Sequence, residues 1–408
     1  MPQWICSQIG AREHYAVPRA LRHAGQLDTL HTDFWADAVV RAVKFGKMRS
    51  LAGRFHLDLA GAKIVSWNLR SLAWEAGLRW RTWERGVPGA YLGYIAVGQN
   101  FACAVRDELR RRSLANGTVF FTYDTGALET LEWLRERGVP CVLDQIDPSR
   151  VEVELVCEEE KRWADWATST TEVPEGFFLR REREWAMADR IVVNSEFSRC
   201  GLIQQGVPAE KLVVVPLCYE AGAMEIVVAA PEPSRARPLK VLFLGQVILR
   251  KGIQYLIEAA KLLRDEPISF EVVGPIGISE QAVKSAPANI TFHGQASRDQ
   301  IGVWYRQCDV FVLPTLSDGF GITQIEAMAH ALPVIATPNC GDVVTDGTDG
   351  FLVPPCEAKS LAATIRRYLS EPGLLLAHRV AALEKSRQFK LNALAQRLLS
   401  LGESLLRR

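Results

Sequence analysis

The chain has 408 residues, 48% of them hydrophobic and 23% charged, which predicts a soluble globular protein of two or three domains and excludes a disordered one. A formal net charge of +1 excludes a global attraction to nucleic acid or to a membrane. Nine cysteines, an odd number with no CxxC pair, argue against a disulfide framework or a zinc site and fit a reducing compartment.

The opening MPQWICSQIG lacks a basic region followed by a long apolar core, so it does not read as a signal peptide. WIC is a short strand, a loop around Gly10 follows, and Gly25 ends the next helix. A glycine after a first strand suits an anion-binding loop, and Arg12, Glu13 and His14 stand beside it. His14 reads either as a substrate contact or as a polar residue near a helix start. The first 150 residues hold 20 Lys/Arg against 15 Asp/Glu, with the excess in RAVKFGKMRSLAGRF and in Arg110, Arg111 and Arg112. Solvated faces are the expectation there, and weak steering of an acidic acceptor or an anionic membrane surface is the alternative. Trp67, Trp74, Trp80 and Trp83 lie among arginines in WNLRSLAWEAGLRWRTW. The steps from 67 to 74 and from 80 to 83 suit one helical face, and the step from 74 to 80 does not. An interfacial membrane helix shows this mix; an ordinary core helix with arginines on its wet side is the favoured reading. No run approaches the roughly 20 apolar residues that span a bilayer. The expected location is cytoplasmic, with contact at the inner face of a membrane left open.

GTVFFTY is a strand, LETLEWLRERG a helix closed by Gly138, and VPCVLDQ a further strand. This βαβ unit implies a parallel sheet. Asp124, Asp144 and Asp147 follow strand ends, where site residues collect, and each also reads as a turn or cap residue. Residues 152–188, rich in Glu, Arg and Trp, read as long exposed helices. IVVN is a strand, followed by a helix capped by Ser195, and KLVVVPL is another strand. EAGAMEIVVAAPEPSRARP suits a linker.

A second α/β pattern starts at Leu239. LKVLFLG, ISFEVVG, ITFHG, DVFVL, PVIA and GFLVP are strands with helices between most of them, which predicts a second doubly wound parallel sheet. FKLNALAQRLLSLGESLLRR is an amphipathic helix that Gly402 could break. The fold class is therefore α/β, with two Rossmann-like halves. Neither half carries GxGxxG or a Walker A sequence, which argues against a dinucleotide oxidoreductase. The most informative stretch is DVFVLPTLSDGFGITQIEAMAHALPVIA, from Asp309 to Ala336. Here a strand runs into a loop with Gly319 and Gly321, then a helix that Pro333 ends. A helix start offers unpaired amides to an anion, and glycines let the backbone approach it. Asp318 and Glu326 flank that helix start. These residues alone leave Asp318 open as a plain N-cap.

Several spaced motifs resemble the donor domain of a family 4 glycosyltransferase, a family with the two-domain GT-B fold. They are LFLGQVILRKGIQYLIEAAKLL, SDGFGITQIEAMAHALPVIAT and GDVVTDGTDGFLVPP. In the first half, ADRIVVNSEFSR with GVPAEKLVVVP, and less specifically ICSQIGAREHYAVPRAL, are similar to the acceptor domain. The resemblance implies an acceptor domain over 1–222, a donor domain over 223–385, and a helix over 386–408 crossing back to the first domain. It implies transfer of a sugar from a nucleotide-diphosphate sugar to a glycan, a lipid-linked or another acceptor, with retention and without a DxD-bound metal or further cofactor. Lys251 matches the phosphate-binding lysine. Gly319, Phe320 and Gly321 match the helix-start amides, Glu326 the ribose-binding glutamate, Asp318 the sugar-binding carboxylate, and Gly10 the closing first loop.

Three positions depart from the family pattern. Gln246 stands where the family has arginine, and Arg250 can restore that charge from another point. Asp318 is one methylene shorter than the usual glutamate. The acceptor-domain histidine has no counterpart, Asp147 or Asp124 being nearest in pattern. The alternatives are a non-catalytic homologue that binds a nucleotide sugar or a partner, and a nucleotide-sugar epimerase.

Overall fold

A computed structural model of the protein describes residues 2–36, 53–220, 228 and 232–407. The basic stretch at 41–52 and most of the linker expected near 221–231 lie outside them. Seven strands form the first sheet: β1 (Gln3–Gln8), β2 (Leu27–Thr32), β3 (Ile64–Ser66), β4 (Thr118–Tyr123), β5 (Cys141–Gln145), β6 (Arg190–Val193) and β7 (Leu212–Val214). Six form the second: β8 (Leu239–Leu244), β9 (Ile268–Val273), β10 (Ile290–Gly294), β11 (Val310–Leu313), β12 (Val334–Ala336) and β13 (Gly350–Leu352). Every pairing is parallel, and the orders are β3-β2-β1-β4-β5-β6-β7 and β10-β9-β8-β11-β12-β13. Helices cover both faces, so the central strands are buried throughout: β4 and β11 are buried at every residue. Each order reverses once, between β1 and β4 and between β8 and β11, and a doubly wound sheet offers its ligand crevice at that point.

The tryptophan-rich stretch departs from expectation. It opens a helical segment, Asn68–Leu109, that bends back at Gly86 (φ 61°, ψ −143°) with Pro88 just beyond. The two legs meet: a Cβ at Gly93 would lie 2.1 Å from Leu78 Cδ1. Trp67 and Trp74 pack on the first domain's core. Trp80 and Trp83 do not, being 58% and 86% exposed. The core-helix reading fails for these two because Ser71, Trp74 and Leu78 already supply the inward face.

The Glu/Arg-rich segment is not simply exposed either. It forms the helices Arg150–Arg162 and Glu175–Met187. Arg180, Arg181 and Glu184 of the second are buried. Arg180 pairs with Glu129, Arg181 with Asp124 and Asp147, and Glu184 accepts from backbone amides, partners that composition does not reveal. Trp163 and Trp166, just beyond the first helix, pack on the core of the second sheet. The helix Glu196–Gln204 starts at Ser195, whose hydroxyl accepts from Ser198 N at 3.1 Å. The helix Leu391–Leu406 runs unbroken through Gly402, where a Cβ would meet Trp4 Cζ2 at 2.6 Å. Its Leu391, Leu394, Leu398, Leu401 and Leu405 are buried in one cluster with Trp4, Tyr15 and Val119 of the first sheet's domain.

Candidate functional site

The reversal between β8 and β11 opens a cavity of about 250 Å³. Its walls include Gly245, Gln246, Arg250, Lys251, Asp318 and Gly321. Two loops build it. The first leaves β8, makes a turn at Leu249–Lys251, and enters the helix Ile253–Leu262 through Gly252. Gly252 has φ +75°, and a Cβ there would lie 1.8 Å from Pro314 O. Only glycine fits that left-handed position against a neighbouring backbone. The second loop leaves β11 and runs to the short helix Thr323–Ala329. Arg250 O accepts from Leu316 N at 2.9 Å and from Thr315 Oγ1 at 3.1 Å, which fixes the loops together.

This clamp sets Lys251 Nζ against Asp318 Oδ2 in a short ion pair. Burial would raise the Asp318 carboxyl. The Lys251 and Arg250 cations and the Phe320 amide outweigh it and hold the group below its ordinary range, so it stays ionised. Arg250 Nη1 donates to Ser317 O at 2.9 Å and to Glu152 Oε2 at 3.3 Å. Gln246 is exposed on the rim. The site thus combines two cations, one carboxylate and an amide side chain in a small cavity, which suits an anion bearing hydroxyl groups.

The other residues singled out in the sequence are distributed around this centre. Gly319 lies at the seam between the domains: a Cβ there would sit 1.8 Å from Ile146 O and 3.6 Å from Asp147 Cα. Phe320 is buried and stacks edge-on with Phe389, and its amide is given to Asp318. Gly321 (φ +71°) lines the cavity. Glu326 lies one turn further along and accepts from Tyr305 OH at 2.9 Å. Gly10 belongs to the first sheet's loop, where its N–H donates to Asp33 Oδ1 at 2.7 Å. His14 is exposed and does not line the cavity.

Asp147 is bound on both oxygens by Arg181, at 2.8 and 2.9 Å, and accepts Ser149 N–H at 2.7 Å. Arg181 also holds Asp124, at 2.5 Å. Burial would raise Asp147, but Arg181 keeps it below the usual carboxylate range. Asp144, buried beside them, is pushed well up by burial and by the charges of Glu13 and Asp124.

Three site-supporting residues gave no sequence signal. Glu152 accepts from Ser317 Oγ at 2.8 Å as well as from Arg250, so it joins the Arg150–Arg162 helix to the cavity loop. Arg181 ties two strand-end aspartates, and Tyr305 braces Glu326. Each stands in a helix whose local sequence looks like an ordinary amphipathic one, so only the tertiary pairing singles it out.

Two parallel Rossmann-like sheets, with the loops after them meeting at the Gly319 seam, make this a GT-B α/β fold. Residues 238–371 match the family model described as Glycosyl transferases group 1. An uncharacterized glycosyltransferase, MJ1178, from Methanocaldococcus jannaschii is 34% identical over 117 residues, 27% of this chain and 32% of that protein. A D-inositol 3-phosphate glycosyltransferase from Kineococcus radiotolerans is 28% identical over 267 residues, 55% of this chain and 59% of that protein. The chain thus spans less than two thirds of these relatives' length. Among solved structures, Anabaena Alr3699/HepE in complex with UDP and glucose aligns with a TM-score of 0.59 and 16% identity, over 98% of this chain and 100% of that one. The family match takes in the motifs quoted from the second half and none from the first.

Proposed function

We propose that the protein is a retaining, metal-independent glycosyltransferase of the family 4 type. It would move a sugar from a nucleotide-diphosphate sugar to a glycan, a lipid-linked or another hydroxyl-bearing acceptor. A lipid-linked acceptor would bring the chain to a membrane surface. The observation that carries the reading is the Lys251–Asp318 pair, with Arg250 beside it, in a cavity at the β8/β11 reversal. The group 1 domain match and the structural neighbour solved in complex with UDP and glucose support it.

In this reading each group answers a need of the reaction. The leaving diphosphate gains negative charge as the glycosidic bond breaks, and Lys251 with Arg250 meets it. A bound diphosphate competes with Asp318 for Lys251, which frees Asp318 oxygens to accept from sugar hydroxyls. Glu326, braced by Tyr305, accepts from the ribose, and Gln246 donates from the rim. Gly319, Phe320 and Gly321 shape the loop, and Gly10 would let the first domain's loop close on the diphosphate from the facing side. Asp147 acts as a positioning residue, because both its oxygens are engaged by Arg181.

The test is a thermal-shift screen of nucleoside diphosphates followed by turnover of the matching nucleotide sugars. Binding to the native state raises the midpoint as RT ln(1 + [L]/Kd), so the matching base stands out. Lys251→Ala should lower kcat/KM by about 2–4 kcal/mol of transition-state stabilisation; unchanged turnover removes Lys251 from the site. Nucleotide binding without turnover on any acceptor would favour a non-catalytic homologue, a reading that the Gln246 and Asp318 departures motivate. Turnover with no acceptor present would favour an epimerase.

A further inference from the structure

The helical hairpin at 68–109 turns an apolar stripe outward. Leu69, Leu72, Ala76, Trp80 and Trp83 follow one another at steps of three or four residues and so share one face of the first leg. The stripe is about 21 Å long at 1.5 Å per residue. Its large members are 85%, 45%, 58% and 86% exposed in that order. The same leg already turns Ser71, Trp74 and Leu78 inward, the first buried and the other two partly so, and the stripe is therefore a second apolar face and not a displaced core. Single exposed leucines are ordinary; a continuous line of four large apolar side chains marks an interaction surface.

Charge beside the stripe identifies the partner. Leu69 and Arg70 share the wall of a cavity of about 670 Å³ with Arg111. The two acids there are already engaged. Asp107 pairs with Arg106 at 2.9 Å, and Glu108 with His31 at 2.7 Å and Arg112 at 3.5 Å. Neither Arg70 nor Arg111 pairs with a carboxylate among the described residues. Arg79, flanking the stripe, is held loosely by Glu75 at 3.6 Å. Arg70 and Arg111, without a carboxylate partner among the described residues, beside a line of Trp and Leu complement a surface that is anionic at its rim and apolar beneath.

We propose that this face docks on an anionic lipid bilayer. Leu69, Leu72, Trp80 and Trp83 enter the boundary between headgroups and acyl chains, and Arg70 and Arg111 meet lipid phosphates. The inference rests on this surface alone, so nucleotide binding at the cleft serves as an independent control of folding.

The full chain is sedimented with vesicles of phosphatidylcholine and of phosphatidylcholine with phosphatidylglycerol. Anionic vesicles should bind it at least about tenfold more tightly. Trp80→Ser with Trp83→Ser should weaken binding by a similar factor, and Arg70→Glu with Arg111→Glu should remove the preference for anionic lipid. Quenching of the unmodified protein's tryptophan emission by brominated lipid gives a measurement that no substitution can confound. Absence of sedimentation with either vesicle, absence of quenching, or full binding by the double tryptophan variant overturns the proposal. So does a lipid-free dimer that the tryptophan substitutions dissolve, which would make the stripe a contact between copies of the chain.

Discussion

Glu13 lies in a backbone turn that runs against the grain of its residues. Glu13, His14 and Tyr15 have φ of 50°, 53° and 60°, a left-handed conformation that costs roughly 1 kcal/mol or more at each non-glycine residue. The turn carries the Glu13 carboxyl inward toward Tyr123 OH, 3.4 Å away. Burial pushes this group up to about 7, against the opposing pull of Arg12 and Tyr123. An acid whose folded value exceeds its unfolded one gives stability that is full below the unfolded value and is lost as pH rises through the folded one. The window here is from 4.5 to about 7. Glu13→Gln should therefore gain on the unmodified chain across that window and run parallel to it above. Thermal midpoints measured at a series of pH values check this, and curves parallel throughout would show that Glu13 ionises without penalty. Asp318 has the opposite sign: its lowered value keeps the pair with Lys251 intact until pH falls below the ordinary carboxylate range.

At the scale of elements, the Glu175–Met187 helix does more than cover the first sheet. Glu184 accepts from Thr125 N at 2.6 Å, Ala127 N at 3.0 Å and Leu128 N at 3.1 Å, and so caps the helix Leu128–Arg135 from a distance. That helix has no side-chain cap of its own. Glu184→Ala should leave these donors without partners at a cost of about 3 kcal/mol or more. Urea denaturation measures it, and a midpoint unchanged from the unmodified chain would show that water replaces the carboxylate. Glu184 also marks the limit of what the sequence discloses. Strands announce themselves through apolar runs such as VFVL and TVFFTY, because both sheet faces are covered. The 309–336 block was legible because a strand-to-helix loop with a left-handed turn demands glycine, and Gly321 stands there with φ +71°; Lys251 was legible only through the family resemblance, although the Gly252 that follows it packs against the Pro314 backbone. Buried ion pairs leave no such trace, since EGFFLRREREWAM has the composition of a wet helix until Asp124, Asp147 and Thr125 are brought to it. The face on which Trp80 and Trp83 stand was hidden likewise. It depends on the reversal at Gly86, which assigns the inward side to Trp74 and Leu78.

For the whole molecule, the two domains close on a backbone-to-backbone contact at Gly319. A methyl group there would have to retreat from 1.8 Å to an ordinary contact near 3.4 Å from Ile146 O. Gly319→Ala should destabilise the closed pair by about 1–3 kcal/mol, the usual cost of overpacking. The expected signs are a larger radius of gyration in small-angle scattering and reduced transfer, with nucleoside diphosphate binding retained. A radius equal to that of the unmodified chain would mean that the seam yields elsewhere. The packing of the Leu391–Leu406 helix has a consequence in time. Its leucines complete a cluster that contains Trp4, Tyr15 and Val119. The first sheet is synthesised early, yet it lacks part of its apolar cover until this helix has followed the entire second sheet out of the ribosome. The second sheet draws its strands from one continuous stretch. Domains fold as units during synthesis, so here the order of completion runs against the order of translation, and the early half spends the interval with apolar surface in need of cover.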